Sequence, residues 1–405
     1  MVSLGAIGYG LRADTVMRRL LAQERGAVLA AVCDPDPARV RERLAATGLD
    51  PSPVRFVDDP DDLLDAGGLD GVLVATRCSL HAREAVRVLR RGLPLFLEKP
   101  VATRSEDLDA LDPWIPSHDA RTVVSFPLRA SPLLQEAARL VRTGILGEPA
   151  HAVAWNDVPY GGVYYHDWYR DEAETGGLFL QKATHDLDAL RCLLPGCPVE
   201  VAAMASKQVY RGDRPAGLRC GDCPDRARCP EGPVVSATRA FDAAHDGYAV
   251  SDASLCCFAA DTGNEDSGSA LVRFEGGLHA AYSQDFLARK GAARRGGRIF
   301  SHEATLAYEW YGERATIHWH RTERVDEIRF DRRGGGHFGG DDVLAANFLD
   351  VCEGRAASIS PLSAGVASAR LCLAARESAR TGRFVPVPET PSADGAGFAP
   401  KEDAR

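Results

Sequence analysis

The segment AIGYGLRADTVMRRL, residues 6–20, decides the fold because it joins the end of an apolar run to the start of a helical pattern. Gly8, Gly10 and Ala13 stand in it as G-x-G-x-x-A. In a strand–turn–helix unit, the first glycine permits the tight turn and the second lets the backbone approach a pyrophosphate, which lies at the helix N-terminus. The spacing therefore predicts a dinucleotide-binding βαβ unit. The residues expected beside the nucleotide are Gly8, Gly10, Leu11, Arg12 and Ala13.

A carboxylate follows the second apolar run, which ends in AAVCDPD. Asp34 stands 24 positions after Gly10, close to the place where an acidic residue accepts hydrogen bonds from the ribose hydroxyls. Because a carboxylate there repels a 2′-phosphate, we expect NAD as the cofactor and NADP to be less favoured. The alternative is an ordinary surface aspartate in a doubly wound domain.

Strand-like and helix-like segments alternate over the first 126 residues. Short apolar runs are separated by helical patterns such as LHAREAVRVLRRG, which favours a parallel sheet covered by helices on both faces. We therefore predict an α/β protein whose residues 1–126 form a Rossmann domain with a doubly wound parallel sheet. The runs are VSLGAIG, AVLAAVC, LDGVLVAT, LPLFLE and RTVVSF.

The pattern changes after about residue 130. Extended segments such as SALVRFEGG, LHAAYSQDFLA, ATLAYEW and ATIHWH indicate an antiparallel sheet, and two helices are expected at about 341–353 and 362–381. Residues 127–386 are thus predicted to form an α+β domain on an open, mainly antiparallel sheet. Since such a face is usually covered by another copy, we expect a homodimer or homotetramer. The Pro/Gly/Ala-rich residues 387–405 are predicted to be disordered.

Charge and hydropathy exclude several classes of partner. A chain of 405 residues suits two domains, and its net charge of −9 gives no reason to expect nucleic acid or an anionic membrane surface. No apolar run is long enough to cross a membrane. The N-terminus lacks the basic and apolar regions of a signal peptide, so we expect a cytoplasmic protein.

The segment GGLFLQKATHDLDAL, residues 176–190, mixes leucines with polar residues in a helical pattern. On a helical wheel, Gln181, His185 and Asp188 share one side at i, i+4, i+7 spacing, opposite the leucines. That side faces either water or a cleft.

The tripeptide Glu98-Lys99-Pro100 after an N-terminal Rossmann domain resembles the glucose–fructose oxidoreductase / inositol dehydrogenase (Gfo/Idh/MocA) family. The resemblance extends over TRCSLHAREAV, over FPLRASPLLQEAARLVRTGILGEP and over the helix with T-H-D-L-D. It implies that Lys99 and His185 face the nicotinamide across the cleft between the domains. Further residues that it places at the cofactor are Thr76, His81 and Glu98.

The chemistry of hydride transfer suits these two residues. When a hydride leaves an alcohol carbon, the hydroxyl proton must also leave, and a histidine is a suitable base. A lysine beside the hydroxyl stabilises the developing alkoxide. We therefore expect an NAD-dependent oxidoreductase that acts on a secondary hydroxyl of a sugar, cyclitol or sugar-derived metabolite, with Lys99 and His185 as its catalytic residues.

One position departs from the family pattern. An aspartate often stands four residues before the histidine, but this chain has Gln181 there, followed by Lys182. An amide orients hydroxyls but cannot raise the pKa of the histidine by its charge. Lys182 either approaches the pocket or pairs with Asp186. Two other functions therefore stay open: a glycosidase or lyase that retains NAD and oxidises the sugar transiently, and a non-enzymatic NAD sensor.

Other polar and aromatic residues are candidates for contact with a sugar or cyclitol substrate. YYHDWYRDEAETGG precedes the glycine pair, and its aromatic rings suit either a polyol pocket or a loop held by aromatic packing. GGGHFGGDD resembles a family stretch before the penultimate helix, where Asp341 is also suited to cap that helix. The predicted substrate-binding residues are Lys99, Arg129, Tyr165, His166, Trp168, Gln181, Lys182, His185 and His337.

A cysteine-rich insertion at about 212–246 contains LRCGDCPDRARCPE. Cys220, Cys223 and Cys229 have a spacing that can clamp one tetrahedral zinc ion. Cys256 is the preferred fourth ligand, with Cys257 and His245 as alternatives. Such an ion would be structural, since a long polar loop lacks a core of its own. Free thiols or a single disulfide are the other interpretations.

Overall fold

The computed structural model describes residues 1–236, 250–330 and 337–391. Most of the tail predicted to be disordered, and the alternative zinc ligand His245, lie outside these residues. The chain forms two sheets, and their strands are β1 Val2–Ile7, β2 Ala27–Cys33, β3 Arg55–Val57, β4 Gly71–Val74, β5 Leu95–Leu97, β6 Thr122–Val124, β7 Pro149–Asp157, β8 Pro198–Ser206, β9 Ser267–Phe274, β10 His279–Asp285, β11 Arg294–Ser301, β12 Ala304–Glu309, β13 Arg314–Trp319, β14 Val325–Arg329 and β15 Val385–Pro386.

Helices lie between and after these strands. They are α1 Leu11–Leu21, α2 Pro37–Ala46, α3 Pro60–Asp65, α4 His81–Arg90, α5 Ser105–Leu111, α6 Ile115–His118, α7 Pro127–Ala130, α8 Pro132–Arg142, α9 Val163–His166, α10 Glu172–Thr175, α11 Leu178–Gln181, α12 Thr184–Leu193, α13 Pro233–Ser236, α14 Gly340–Cys352 and α15 Leu362–Thr381. None of the helices in the described ranges is long and apolar enough to cross a membrane.

The first sheet has six parallel strands in the order β3-β2-β1-β4-β5-β6. From β1 the chain adds β2 and then β3 on one side of the sheet. It then crosses to the other side of β1, where it adds β4, β5 and β6. The carboxyl ends of β1 and β4 therefore meet at a point where the strand order reverses, which is where open α/β sheets bind ligands. This arrangement confirms the predicted doubly wound Rossmann sheet.

The second sheet has nine strands in the order β14-β13-β12-β11-β7-β10-β9-β8-β15. Strands β7 and β10 pair in parallel, and the other pairs of neighbours are antiparallel. Along β9 the burial alternates from residue to residue, so one face of the sheet is covered and the other is exposed. The predicted α+β domain on an open, mainly antiparallel sheet is confirmed.

Strand β11 has a sequence, RRGGRIFS, that does not indicate a strand, yet it pairs with both β7 and β12 near the middle of the second sheet. Its two glycines explain the pairing. A Cβ at Gly296 would lie 2.1 Å from the carbonyl oxygen of Tyr308, and one at Gly297 would lie 2.6 Å from the hydroxyl of the same tyrosine. Only glycine therefore fits this close approach of backbone and ring.

Two late helices connect the domains. Helix α14 packs on α1, and its apolar residues belong to the same core cluster as β1. Helix α15 packs on β8 of the second sheet and on β6 of the first. Where α15 passes the first domain, a Cβ at Gly365 would lie 2.6 Å from Val101 and 3.0 Å from Val124. The end of the chain thus completes the core beneath the Rossmann sheet and fixes the two sheets relative to each other.

Candidate functional site

The glycine turn after β1 has the shape that a dinucleotide requires. Gly8 has φ +79°, and a Cβ there would lie 2.8 Å from the backbone of Ala75 and Thr76. A Cβ at Gly10 would meet nothing within 4 Å, so the space beside it is open. Gly10 precedes α1, and no side chain caps the first amide groups of that helix. These free N–H groups and the open space fit a pyrophosphate.

Asp34 lies at the end of β2, where the sequence predicts a ribose ligand. It is 6% exposed, and its Oδ2 accepts a hydrogen bond of 2.7 Å from the backbone N–H of Tyr9 in the glycine turn. The Arg39 guanidinium lies 3.3 Å from the other carboxylate oxygen. Sequence reasoning missed this arginine, which matters because an arginine near a ribose site favours a 2′-phosphate.

His81 joins the two loops that follow β4 and β5. Its Nδ1 lies 2.7 Å from the carbonyl oxygen of Pro100, and its Nε2 lies 3.2 Å from that of Thr76. Burial lowers the pKa of this imidazole. His81 therefore connects backbone segments beside the nucleotide site, and its contacts hold the loop of the E-K-P tripeptide.

Arg12 connects the glycine turn to three other segments: the loop after β5, the residues after β6 and the start of α14. It donates hydrogen bonds to Glu98 at 2.8 Å, to Ser125 at 3.0 Å and to Asp341 at 2.5 Å. Burial opposes the charge of Arg12, but the two carboxylates raise its pKa above the ordinary value. Burial likewise opposes the charge of Asp341, but Arg12 and His337 hold its pKa well below the usual range. Arg12, Glu98 and Asp341 thus stay charged and paired with one another.

His337 extends this set toward the second domain. Its Nδ1 lies 2.8 Å from Asp341, and its ring centroid lies 6.1 Å from that of His185. Because Asp341 binds both Arg12 and His337, its function is larger than that of a helix cap, and α14 begins at Gly340 with no side-chain cap.

The segment of residues 176–190, which reads as one helix, is two helices in the structure. Helix α11 ends at Gln181 and α12 begins at Thr184, so the carbonyl of Gln181 lies at a helix C-terminus. The Nζ of Lys99 donates a hydrogen bond of 2.6 Å to that carbonyl. The interruption therefore creates the acceptor that brings the lysine of the E-K-P tripeptide against the second domain.

His185 lies inside the protein and not on a solvated helix face. It is 6% exposed, and its ring packs edge-on against Phe126 with 6.0 Å between centroids. Its Nδ1 has no hydrogen-bond partner among the described residues. Burial, followed by the charges of Lys99, Arg295, His337 and Lys182, lowers its pKa well below the ordinary value. His185 is therefore a neutral imidazole at pH 7 and can accept a proton.

Lys182 approaches the same site and does not pair with Asp186. Its Nζ donates a hydrogen bond to the hydroxyl of Tyr160, and it lies 4.5 Å from the centroid of that ring. Asp186 instead accepts from Arg295 at 2.7 Å, Asn156 at 2.8 Å and Tyr282 at 3.1 Å. This answers the question that the sequence leaves open about Lys182.

Both lysines of the site titrate below their ordinary range. Burial and the charge of Lys182 lower the pKa of Lys99 to about 8. Burial and the charge of Arg295 lower the pKa of Lys182 to about 7. A lysine with a pKa near neutrality can gain or lose a proton during a reaction.

Four of the predicted substrate-binding residues make contacts elsewhere in the structure. Arg129 forms two hydrogen bonds with Asp188, of 2.6 and 3.1 Å, inside the second domain. Tyr165 is fully buried and stacks on Tyr210 with 3.9 Å between centroids. Trp168 lies under the guanidinium of Arg77 at 4.0 Å.

His166, at the end of α9, is the fourth, and it lies against the cysteine-rich insertion. It lines one small pocket together with all four cysteines predicted to bind zinc, Cys220, Cys223, Cys229 and Cys256. Across the described ranges, no three His, Cys, Asp or Glu side chains are arranged to hold a metal ion. The four cysteines form no disulfide bond with one another. The structure therefore does not support the predicted zinc site.

Comparison with known proteins agrees with this geometry. Residues 2–126 match the model of the oxidoreductase family with an NAD-binding Rossmann fold, and residues 134–318 match the GFO/IDH/MocA C-terminal domain. The chain belongs to the GFO/IDH/MocA family of oxidoreductases. Its first domain is thus an NAD-binding Rossmann domain, and the family resemblance of the E-K-P tripeptide and the T-H-D-L-D helix is confirmed.

Relatives in the family are distant. The chain is 27% identical to the rhizopine catabolism protein MocA of Rhizobium meliloti over 52% of this chain and 62% of that protein. It is 25% identical to scyllo-inositol 2-dehydrogenase (NAD(+)) of Bacillus subtilis (strain 168) over 48% of this chain and 53% of that protein. The chain therefore spans little more than half the length of these curated relatives.

A solved structure of levoglucosan dehydrogenase in complex with NADH and levoglucosan superposes with a TM-score of 0.73. It covers 96% of this chain and 100% of that one at 17% sequence identity, which shows a common fold.

Sequence reasoning about the site missed Arg295. This residue lies on β11, and the Gly/Arg-rich sequence of that strand does not indicate a strand.

We expect Arg129 to act on stability and not on substrate binding. Arg129→Met should lower the free energy of unfolding by about 3 kcal/mol, because it leaves the carboxylate of Asp188 buried with weaker contacts to Arg191, at 3.7 Å, and to the Cys192 thiol, at 4.0 Å. Chemical denaturation measures this change. The matched control is Arg139→Met, which removes an exposed pair with Glu136 and should cost less than about 1 kcal/mol. Equal effects of the two variants would contradict the assignment.

Proposed function

We propose that the protein is an NAD-dependent dehydrogenase that acts on a secondary hydroxyl of a sugar, cyclitol or sugar-derived metabolite. The observation that carries this proposal is the hydrogen bond from Lys99, in the loop after β5, to the carbonyl of Gln181 at the end of α11, four residues before His185. The printed names of relatives, which include inositol 2-dehydrogenases and levoglucosan dehydrogenase, support the substrate class.

The residues of the first domain suit the cofactor. Bound NAD supplies the acceptor for the hydride. The turn from Gly8 to Ala13 would hold its pyrophosphate, and Asp34 would accept hydrogen bonds from the ribose hydroxyls. Thr76, His81 and Glu98 would form the wall beside it. We propose NAD over NADP because the Asp34 carboxylate repels a 2′-phosphate more directly than Arg39, whose side chain is half exposed, attracts it.

The chain's own groups would manage the proton of the alcohol. His185 is neutral and its Nδ1 has no partner among the described residues, so it accepts the hydroxyl proton as the carbonyl forms. The Lys99 ammonium donates a hydrogen bond to the same oxygen and stabilises its developing negative charge. His337, which Asp341 holds by a hydrogen bond, packs beside the His185 ring and would help to position it.

Substitution of either residue should abolish most turnover and spare cofactor binding. Lys99→Met and His185→Asn are expected to lower kcat by about 10²- to 10⁴-fold, because each removes a group that handles the proton. The assay supplies NAD and NADP separately with a panel of sugars and cyclitols, and follows reduced nicotinamide by its absorbance. Calorimetry measures NAD affinity.

Lys207→Met is the matched control for these variants, since Lys207 contacts Thr262 outside the site and should keep full activity. Unchanged turnover in both variants would contradict the catalytic assignment. Retained NAD with cleavage of glycosides, and no net reduction of NAD, would identify the glycosidase or lyase. NAD binding without any turnover would identify a sensor.

The pH profile of kcat/KM should have an alkaline limb near pH 8. Lys99 must be protonated to stabilise the alkoxide, and burial together with the Lys182 charge lowers its pKa to about 8, so activity is present below that pH and is lost above it. No acidic limb is expected near pH 6.5, because burial holds the pKa of His185 well below that value. The profile is measured from pH 5 to 10.

Lys99→Arg tests the origin of the limb, since an arginine stays protonated throughout this range. We expect the variant to have lower activity but no limb near pH 8. A limb that persists in Lys99→Arg would assign the titration to another group.

We also propose that a second copy of the chain covers the open face of the nine-stranded sheet. Leu271 on β9 is 52% exposed and Met204 on β8 is 79% exposed, and both stand in neighbouring strands on that face. Such apolar residues on an open sheet are usually covered by association.

Light scattering should therefore give the mass of a dimer or tetramer. Leu271→Glu should shift the mass toward that of the monomer, because it places a charge in the buried interface. Val28→Glu is the control, since Val28 is an exposed apolar residue of the Rossmann sheet. A monomeric native protein would contradict the proposal.

A further inference from the structure

Positive charge exceeds negative charge around His185. Lys99, Arg295 and Lys182 act on its pKa after burial and can carry positive charge, whereas burial lowers the pKa of the neighbouring His337 and leaves it neutral at pH 7. Within the described part of the chain, neither lysine forms a salt bridge with a carboxylate: Lys99 donates to a backbone carbonyl and Lys182 to a tyrosine hydroxyl. The site therefore contains cations that the protein itself does not neutralise.

The carboxylates of this region are already bound by other donors. Glu98 and Asp341 accept hydrogen bonds from Arg12, and His337 also contacts Asp341. Asp186 accepts hydrogen bonds from Arg295 and from two uncharged side chains. Each of these three acids thus has a basic partner already, and Glu98 and Asp186 only partly offset the loss of charge that burial imposes on Lys99 and Lys182.

Lys182 and Arg295 are the residues of the second domain that contribute to this excess of positive charge. Both are buried, at 4% and 6% exposure, and the charge of Arg295 is the strongest electrostatic influence on Lys182. Arg295 uses its Nε for Asp186, while its buried Nη2 has no hydrogen-bond partner among the described residues. Arg295 bonds Asp186, which stands four residues after Lys182, so the two cations belong to one region of the second domain, and Arg295 has a donor to spare.

Buried like charges are costly when nothing neutralises them. The effective penalty for an unpaired ion in a protein interior is several kcal/mol, and a buried donor without an acceptor adds to it. The pyrophosphate of a dinucleotide does not relieve the cost here, since the turn that suits it belongs to the first domain, at the start of α1. Burial and the charge of Arg295 lower the pKa of Lys182 to about 7, so without substrate the site relieves part of this cost by losing a proton. A negatively charged substrate would relieve the cost while Lys182 keeps its proton.

We propose that the substrate carries a carboxylate, as a uronic or aldonic acid does, and that Lys182 and Arg295 bind it. The proposal rests on the dehydrogenase function proposed above and specifies its substrate class. The Lys182 ammonium and the spare Nη2 of Arg295 together offer two charged donors, and a carboxylate offers two oxygens to accept from them. A phosphate monoester carries up to two charges and more acceptor oxygens than these donors satisfy. Lys99 and His185 then act on a hydroxyl of the same molecule.

Paired substrates test this proposal. D-glucose with D-glucuronate, and D-galactose with D-galacturonate, differ by one carboxylate, and glucose 6-phosphate serves as the phosphate arm. With NAD at pH 7, we expect kcat/KM to be about 100-fold higher for an acid than for its neutral partner, because the neutral sugar leaves buried charges unpaired. Equal efficiency for both partners, or preference for the phosphate, overturns the inference and leaves the dehydrogenase function intact.

Measurements of substrate binding test the carboxylate site independently of the dehydrogenase activity. Calorimetry with the NAD-loaded protein measures the affinity for each acid and each neutral sugar. An acid that binds more tightly than its neutral partner but gives no reduced nicotinamide supports the carboxylate site and contradicts the dehydrogenase. Absence of any preference for the acids in binding contradicts the carboxylate site.

Substitution of Lys182 tests whether this residue binds the carboxylate of the substrate. Lys182→Met should raise KM for the preferred acid about 10- to 100-fold and change KM for the neutral partner little, because it removes one charged donor. Lys182→Arg keeps the charge and should restore much of the affinity. The control Lys207→Met removes a lysine of the same domain and should change neither KM. A Lys182→Met variant that affects acid and neutral substrates equally would show a structural role and overturn the assignment.

Discussion

The bonds of Arg12 are the constraint on which the rest of the site depends. One guanidinium binds Glu98, Ser125 and Asp341, and the last of these lies 329 positions away in the sequence. Removing one carboxylate of this group would leave Arg12 with a single acidic partner, so the two pairs together hold the turn after β1 to the loop after β5 and to the start of α14. The nucleotide turn and the residues beside His185 are thus parts of one electrostatic unit.

The interruption between α11 and α12 carries that constraint into the second domain. Gln181 ends α11, and its carbonyl accepts from Lys99, so the lysine is oriented by backbone. The same interruption turns Lys182 toward Tyr160 and leaves Asp186 to Arg295. A continuous helix would have used the Gln181 carbonyl within its own ladder. The replacement of an acid by Gln181 therefore accompanies a site whose neighbouring charges are mostly positive.

Individual elements show which features of the structure can be predicted from the sequence and which cannot. The G-x-G-x-x-A turn and the E-K-P tripeptide are local, because a tight turn or a strand end has the same geometry wherever it occurs, and both lie where the pattern predicted. Helices α14 and α15 were also predicted within two residues of their observed bounds. Strand β11 was missed because its glycines depend on the position of Tyr308, a neighbour in space that no local pattern describes. Arg295 was missed with it.

By itself, the sequence determined the class of the protein, the doubly wound sheet and the polar residues available to the site, since hydrophobic periodicity and turn chemistry act over a few neighbouring positions. The tertiary structure decided which of those residues meet. It placed Arg129 in a structural ion pair, Tyr165 in an aromatic stack and Lys182 against Tyr160. Charges interact through space and burial sets their strength, so partners far apart in the chain are fixed only when the whole fold forms.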